Sequence, residues 1–199
     1  MKQRDKAILN DLKRFRVLER DDIIALHFNG LKNPVTGCNT VMKRLRRDEK
    51  VKAITDRNQF LYVHAETNIK PDSSKLPHFL KIVDFYKQIC QYEAPKIFTV
   101  EPKYGEKGTV EPDIFMLWKG AAFFVEIQRS IYSSKVFDAK MERYEKFYHE
   151  EEWKNKPWQM KDKKIFPYVW IITDKKYKVG ERPFKVMQSQ SVAEIMKPK

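Results

Sequence analysis

The amino-acid sequence predicts a protein of mixed α and β structure in two parts. Residues 1–68 read as three helices and a hairpin, and residues 76–199 as an α+β or α/β unit of order α-β-β-β-α-β. Three observations carry this prediction. Apolar residues recur at helical spacing through most of the first part, a polar stretch without periodicity follows, and short apolar runs bracketed by helical patterns fill the second part.

In the first part, Ile8, Leu9, Leu12 and Phe15 recur at helical spacing after Asp5, an acid suited to the first turn. Arg20, Asp21 and Asp22 open a second short helix carrying Ile23, Ile24 and Leu26. Asn29, Gly30 and Pro34 interrupt it, and a third helix is expected from Thr36 or Asn39 to Asp48. Val51–Ile54 and residues 60–63 then make two strands around the polar turn 55–59. Three helices and a hairpin in this order are the winged helix-turn-helix arrangement. Its third helix divides as a DNA-reading helix must. Cys38, Val41, Met42 and Leu45 fall on one side, whereas Asn39, Thr40, Lys43, Arg44 and Arg47 project from the other, with Arg57 at the hairpin tip as a wing contact.

Residues 66–75, with Pro71, Asp72 and two serines, form a linker, so the boundary falls near residue 70. An amphipathic helix starts after Pro77, with Phe79, Leu80, Val83, Tyr86 and Cys90 on its apolar face. Residues 96–100, Ile114–Trp118 and Ala121–Ile127 read as strands, the last two joined by the tight turn Lys119-Gly120. A long charged helix over 133–154 and the apolar run Tyr168–Ile172, a buried strand, complete the order.

Composition narrows the function. At 199 residues, 42% hydrophobic and 13% aromatic, the chain has enough apolar surface to build a core. Forty Lys and Arg against 27 Asp and Glu give a net charge of +13 and a pI near 9.6, which favours polyanionic partners, nucleic acid first. The excess is shared: sixteen basic against nine acidic residues up to residue 70, and 24 against 18 beyond it. The charged N-terminus and the lack of a long apolar run argue against a signal peptide or membrane span, so a cytoplasmic protein is expected. Cys38 and Cys90 stand apart on apolar helix faces, and His27, His64, His78 and His149 lack metal-ligand spacing. Disulfides and thiolate or histidine metal sites are therefore not expected.

The chemistry-bearing pattern is Glu111-Pro112-Asp113-Ile114 ahead of one strand and Glu126-Ile127-Gln128 at the end of the next. Two carboxylates on neighbouring strands, with the backbone carbonyl of Ile127 as a third donor, suit Mg²⁺ or Mn²⁺. Alternation along the strand puts Glu126 and Gln128 on one face with Asp113, and Val125 and Ile127 on the other.

Asp113, Glu126 and Gln128 resemble the PD-(D/E)XK nuclease motif with Gln in place of the usual Lys. The run Glu126-Ile127-Gln128-Arg129-Ser130 resembles the Glu-x-Gln-x-Ser signature of CoiA-like competence nucleases. The whole layout, including Arg143-Tyr144 and Tyr148 on the last long helix, is similar to the replication-relaxation family of plasmid and mobile-element proteins. These resemblances imply a winged helix followed by a restriction-endonuclease-like core, acting in replication or DNA processing. They imply metal binding by Asp113 and Glu126, metal-dependent phosphodiester hydrolysis, and water positioning at Gln128.

Gln128 brings no charge to offset a developing phosphate anion, and Lys135 or Lys140 on the following helix is the expected substitute cation, with Tyr144 as phosphate support. A further acid from the first helix of this part is Glu93 or Asp84; the sequence does not choose. Two functions follow: a metal-dependent DNA endonuclease or nickase, or a non-catalytic replication or regulatory DNA-binding protein retaining a nuclease-like scaffold. Duplex DNA is the expected partner, with a second copy of the chain and replication proteins as further ones.

Overall fold

The computed structural model describes residues 1–55, 60–106 and 108–196. The chain forms two compact units, Met1–Asp84 and Phe85–Lys199, and the division falls inside a helix that follows the polar stretch 66–75.

The first unit holds α1 (Gln3–Phe15), β1 (Leu18–Glu19), α2 (Arg20–His27), α3 (Pro34–Arg47), β2 (Val51–Ile54) and β3 (Leu61–His64). Asp5 acts in α1 from the third helical position, where its carboxylate accepts the Lys2 backbone N–H at 3.1 Å. Helix α3 begins at Pro34, earlier than the expected Thr36 or Asn39. A proline in the first helical turn loses no intrahelical bond and brings a preset φ, so here it starts the helix. Ile8, Leu12, Phe15, Ile23, Cys38, Met42 and Leu45 are all buried. The strands form an antiparallel sheet of order β1-β3-β2, in which Leu18 pairs with Tyr62 and Ile54 with Leu61. Strand β1 has two residues, too few for any periodicity to announce it.

Helix α4 (Leu76–Cys90) leads into β4 (Ile97–Val100), β5 (Ile114–Trp118), β6 (Ala121–Ile127), α5 (Ser134–Glu150), β7 (Tyr168–Ile172), β8 (Val186–Ser189) and α6 (Val192–Met196). The overall class is therefore α+β. The five strands form a mixed sheet of order β4-β5-β6-β7-β8, antiparallel as far as β6 and parallel from β6 to β8. Lys119 and Gly120 both have positive φ, the requirement of a two-residue turn matched to strand twist.

Alternation along β6 gives the sheet two apolar faces. Phe124 joins Phe115, Phe137, Met141, Tyr144, Phe147 and Ile171 on the α5 side. Phe123 meets Trp118 and Trp170 on the other, where Phe85 of α4 stands edge-on to Trp170.

The helix expected over 133–154 is shorter. Ser133 caps α5 by accepting the Val136 N–H at 3.3 Å, and Glu151 ends it in the left-handed region. A 3-10 turn, Glu152–Asn155, then turns Trp153 inward against Tyr148 and Phe166. Burying a large aromatic outweighs continuing the helix by one more turn. Strand β8 and α6 lie beyond the expected order. No helix among the described residues is long and apolar enough to cross a membrane.

Candidate functional site

The β5–β6 register pairs Ile114 with Val125, so one step further along the hairpin Asp113 comes level with Glu126. Here the ladder gives way to side-chain bonding: Asp113 Oδ2 accepts the Ile127 backbone N–H at 2.7 Å. Its own carbonyl accepts the Glu101 N–H at 2.8 Å. On the other edge of β6, Gln128 donates its N–H to the Ile172 carbonyl, continuing the parallel pairing with β7. Asp113, Glu126 and Gln128 thus share the end of the β5–β6 hairpin remote from its turn.

Glu126 is 1% exposed and faces α5. Both carboxyl oxygens are engaged: Lys140 donates to Oε2, and the Tyr144 hydroxyl donates to Oε1 at 2.6 Å. Burial pushes the Glu126 carboxyl up to about 7; the Lys140 ammonium and the two hydrogen bonds pull it down, while the neighbouring charge of Asp113 pushes it further up. Burial alone would lower Lys140, but the charges of Glu126 and Asp113 overcome it and hold the ammonium above its ordinary value. Tyr144, fully buried beside the same carboxyl, is raised well above the usual phenol range.

Tyr132 lies against the Lys140 ammonium, 5.9 Å from ring centre to nitrogen. Its backbone N–H donates to the Tyr177 hydroxyl at 2.8 Å, and Tyr177 stacks on Phe137 at 4.3 Å, so the segment after β6 is tied to the start of α5. The Gln128 side-chain oxygen is buried with no hydrogen-bond partner among the described residues. A buried amide oxygen without a donor is costly, and it gives this site an acceptor still to be filled.

Of the two substitute cations the sequence offers, Lys140 reaches the carboxylate, while Lys135 stands exposed in the first turn of α5. Helix phase explains the choice. Phe137, Met141, Tyr144 and Phe147 mark the buried stripe; Lys140 sits beside it, whereas Lys135, two residues before Phe137, points roughly the opposite way. Glu93 does not join the site. It lies beyond the end of α4, exposed, with its carbonyl accepting the Trp118 indole N–H at 2.7 Å, which places it at the turn end of the hairpin. Ile127 contributes its backbone here, while its side chain is buried on the other face of the sheet. Among the described residues no group of three or more His, Cys, Asp or Glu could hold a metal ion; the expected donor set has two carboxylates and a carbonyl.

In the first unit, Asn39, Thr40, Lys43 and Arg47 of α3 are exposed, as is Arg46. Arg44 is committed elsewhere: its guanidinium donates to the buried Asp5 at 2.6 Å, locking α3 to α1. Arg47 pairs with Asp48 at 3.0 Å at the surface. Arg46, absent from the expected set, lines a cleft with Asn39 and Lys43, its neighbours on one helical stripe. Arg57 lies outside the described residues.

The chain thus joins a three-helix unit with a small sheet to a mixed five-stranded sheet that carries an acidic hairpin end. A match to the replication-relaxation family spans residues 52–159, more than half of the sequence, and the chain belongs to that family. Membership associates it with DNA replication. No curated protein and no solved structure matches the chain at a significant level.

Proposed function

We propose that this protein is a DNA-processing factor of plasmids, phages or mobile elements. In this reading the first unit is a winged helix that holds duplex DNA through α3, and the second is a PD-(D/E)XK-type core that hydrolyses a phosphodiester as an endonuclease or nickase. The observation that carries the reading is the convergence of Asp113, Glu126 and Gln128 with Lys140, a cation delivered from α5 to the place where the motif's own lysine is missing. The Glu-x-Gln-x-Ser run through Ser130 agrees with a nuclease of the CoiA-like kind.

The donor set fits a hard divalent cation. Carboxylate oxygens of Asp113 and Glu126, the Ile127 carbonyl and the unpartnered Gln128 oxygen are all oxygen ligands, which suit Mg²⁺ or Mn²⁺ better than softer metals. When bound, such an ion supplies Lewis-acid polarisation of the phosphate and a more acidic water. The chain's own groups do the rest. Lys140 brings positive charge toward the equatorial oxygens of the phosphate, Tyr144 holds the Glu126 carboxyl in place, and the Gln128 amide orients a water or phosphate oxygen. Glu126, near half-titration at neutral pH, can hold or release a proton there.

Supercoiled plasmid incubated with the protein and Mn²⁺ should be nicked or linearised, with loss of cutting in EDTA and in Asp113→Asn plus Glu126→Gln. Cutting that persists in the double variant would refute the assignment. A second reading, a replication or regulatory DNA-binding protein with a non-catalytic core, draws on one observation: both oxygens of Glu126 already carry a hydrogen bond from the protein. Intact plasmid together with firm duplex binding would select it.

A further inference from the structure

On the first unit, one stripe of α3, the start of β3 with the residue before it, and the β1–α2 junction line a cleft of about 640 Å³, within the range of roughly 300–1,000 Å³ that small-ligand sites occupy. Asn39, Lys43 and Arg46, at spacings of four and three, form the helical wall. Tyr62 of β3 and Phe60, immediately before that strand, form the other. Tyr62 is buried, whereas Phe60 is 46% exposed and lines the same cleft as the two cations.

The charges of this cleft are not self-cancelling. Glu19 belongs to the capping box that starts α2, and Asp21 is held by Arg20 at 2.9 Å. Arg44 and Arg47 on the neighbouring stripe have carboxylate partners. Lys43 and Arg46 have no carboxylate partner among the described residues, and both line the same cleft as Phe60. An exposed aromatic face beside two unpaired cations and one amide matches the chemistry of an unstacked nucleotide, with a π-surface for the base, positive charge for the phosphate and an amide for a base edge.

We propose that this cleft receives a single-stranded nucleotide, its base stacked on Phe60 and its phosphate held by Lys43 and Arg46. The inference rests on the reading of α3 as a DNA-facing helix and extends it from duplex to unpaired strand. A protein that can hold an unpaired nucleotide beside a duplex is suited to melted, nicked or flapped DNA, the forms that arise during replication.

The test is fluorescence anisotropy with labelled oligo(dT) and, separately, with a labelled mixed-sequence duplex, using the full chain. Phe60→Ala should weaken oligo(dT) binding by about tenfold or more, the effect of losing one stacked base, and change duplex binding by less than about twofold. Phe60→Trp should retain oligo(dT) affinity, because the π-face is kept. Because Phe60 is exposed, neither change threatens folding. Equal oligo(dT) affinity in Phe60→Ala and wild type would overturn the proposal. So would wild-type protein that binds duplex and ignores oligo(dT), an outcome that leaves the duplex-binding reading standing. Failure to bind either probe would remove that reading and the proposal with it.

Discussion

At the scale of single residues, Glu126 is subject to opposing demands. Burial favours its neutral form, while Lys140 and the two hydrogen bonds favour its anion; burial prevails, and the carboxyl lies near 7 instead of 4.5. In the folded protein Glu126 therefore keeps its proton over a range where the unfolded chain has released it. The native state binds more protons between about 4.5 and 7, so this group's contribution to stability is full below 4.5 and is lost as pH rises through 7. The slope can reach at most about 1.4 kcal/mol per pH unit for one proton. Denaturant unfolding followed from pH 5 to pH 7.5 should show this decline in the wild type and a flatter profile in Glu126→Gln. Identical profiles would mean that Glu126 titrates as an ordinary carboxylate. The triad around this residue was partly legible in the sequence. Strand parity places Asp113, Glu126 and Gln128 together, because alternation is a local property of the backbone. The choice between Lys135 and Lys140 needed the rotational phase of α5, which the apolar positions 137, 141 and 144 encode but which a reading of proximity to the helix start overlooks.

At the scale of elements, α3 shows where a helical wheel stops being informative. Positions 39, 43 and 46 and positions 40, 44 and 47 are adjacent stripes with the same spacing, and both are polar. What separates their roles is a residue 39 positions away from Arg44: Asp5 on α1 claims that guanidinium, so Arg44 supports the fold while positions 39, 43 and 46 remain exposed. Tertiary partnership of this kind has no local signature. The same holds for β1, two residues long, and for β8, whose pairing with β7 depends on a long-range return of the chain. Elements long enough to carry a pattern follow it closely: α1 keeps a helical period, and β5, β6 and β7 are the continuous apolar runs of strands buried on both faces. The stripe distinction has a measurable consequence. Arg44→Ala leaves the Asp5 carboxylate buried without its charged partner and should cost about 1–3 kcal/mol of unfolding free energy. Lys43→Ala plus Arg46→Ala, at exposed sites with no ion-pair partner among the described residues, should shift stability by no more than about 0.5 kcal/mol each and weaken DNA binding instead. Equal losses of stability in the two variants would show that the stripes are not distinct.

At the scale of the whole molecule, the positive charge is divided almost evenly between the two parts of the chain, and this bears on how the proposed DNA contact would be distributed. A protein contacting phosphates with Z cations loses affinity with rising salt at a slope near −0.9Z, so the slope counts the contacts irrespective of sequence preference. If α3 and its cleft were the sole anchor, Lys43 and Arg46 would be a large share of the total, and removing both would abolish most of the salt dependence. If the second unit also lies on the DNA, as hydrolysis at Asp113 and Glu126 demands, its own cations must add to the slope. Titrations of a duplex across a range of NaCl concentrations should therefore give a steep wild-type slope. In Lys43→Ala plus Arg46→Ala the slope should be shallower by about 2, with a substantial remainder. Adding Lys140→Met should reduce the remainder by about one further contact if its ammonium turns from Glu126 to a phosphate when DNA arrives. A remainder near zero after the first pair of substitutions would confine DNA to the first unit and leave the carboxylate site without a substrate strand to act on.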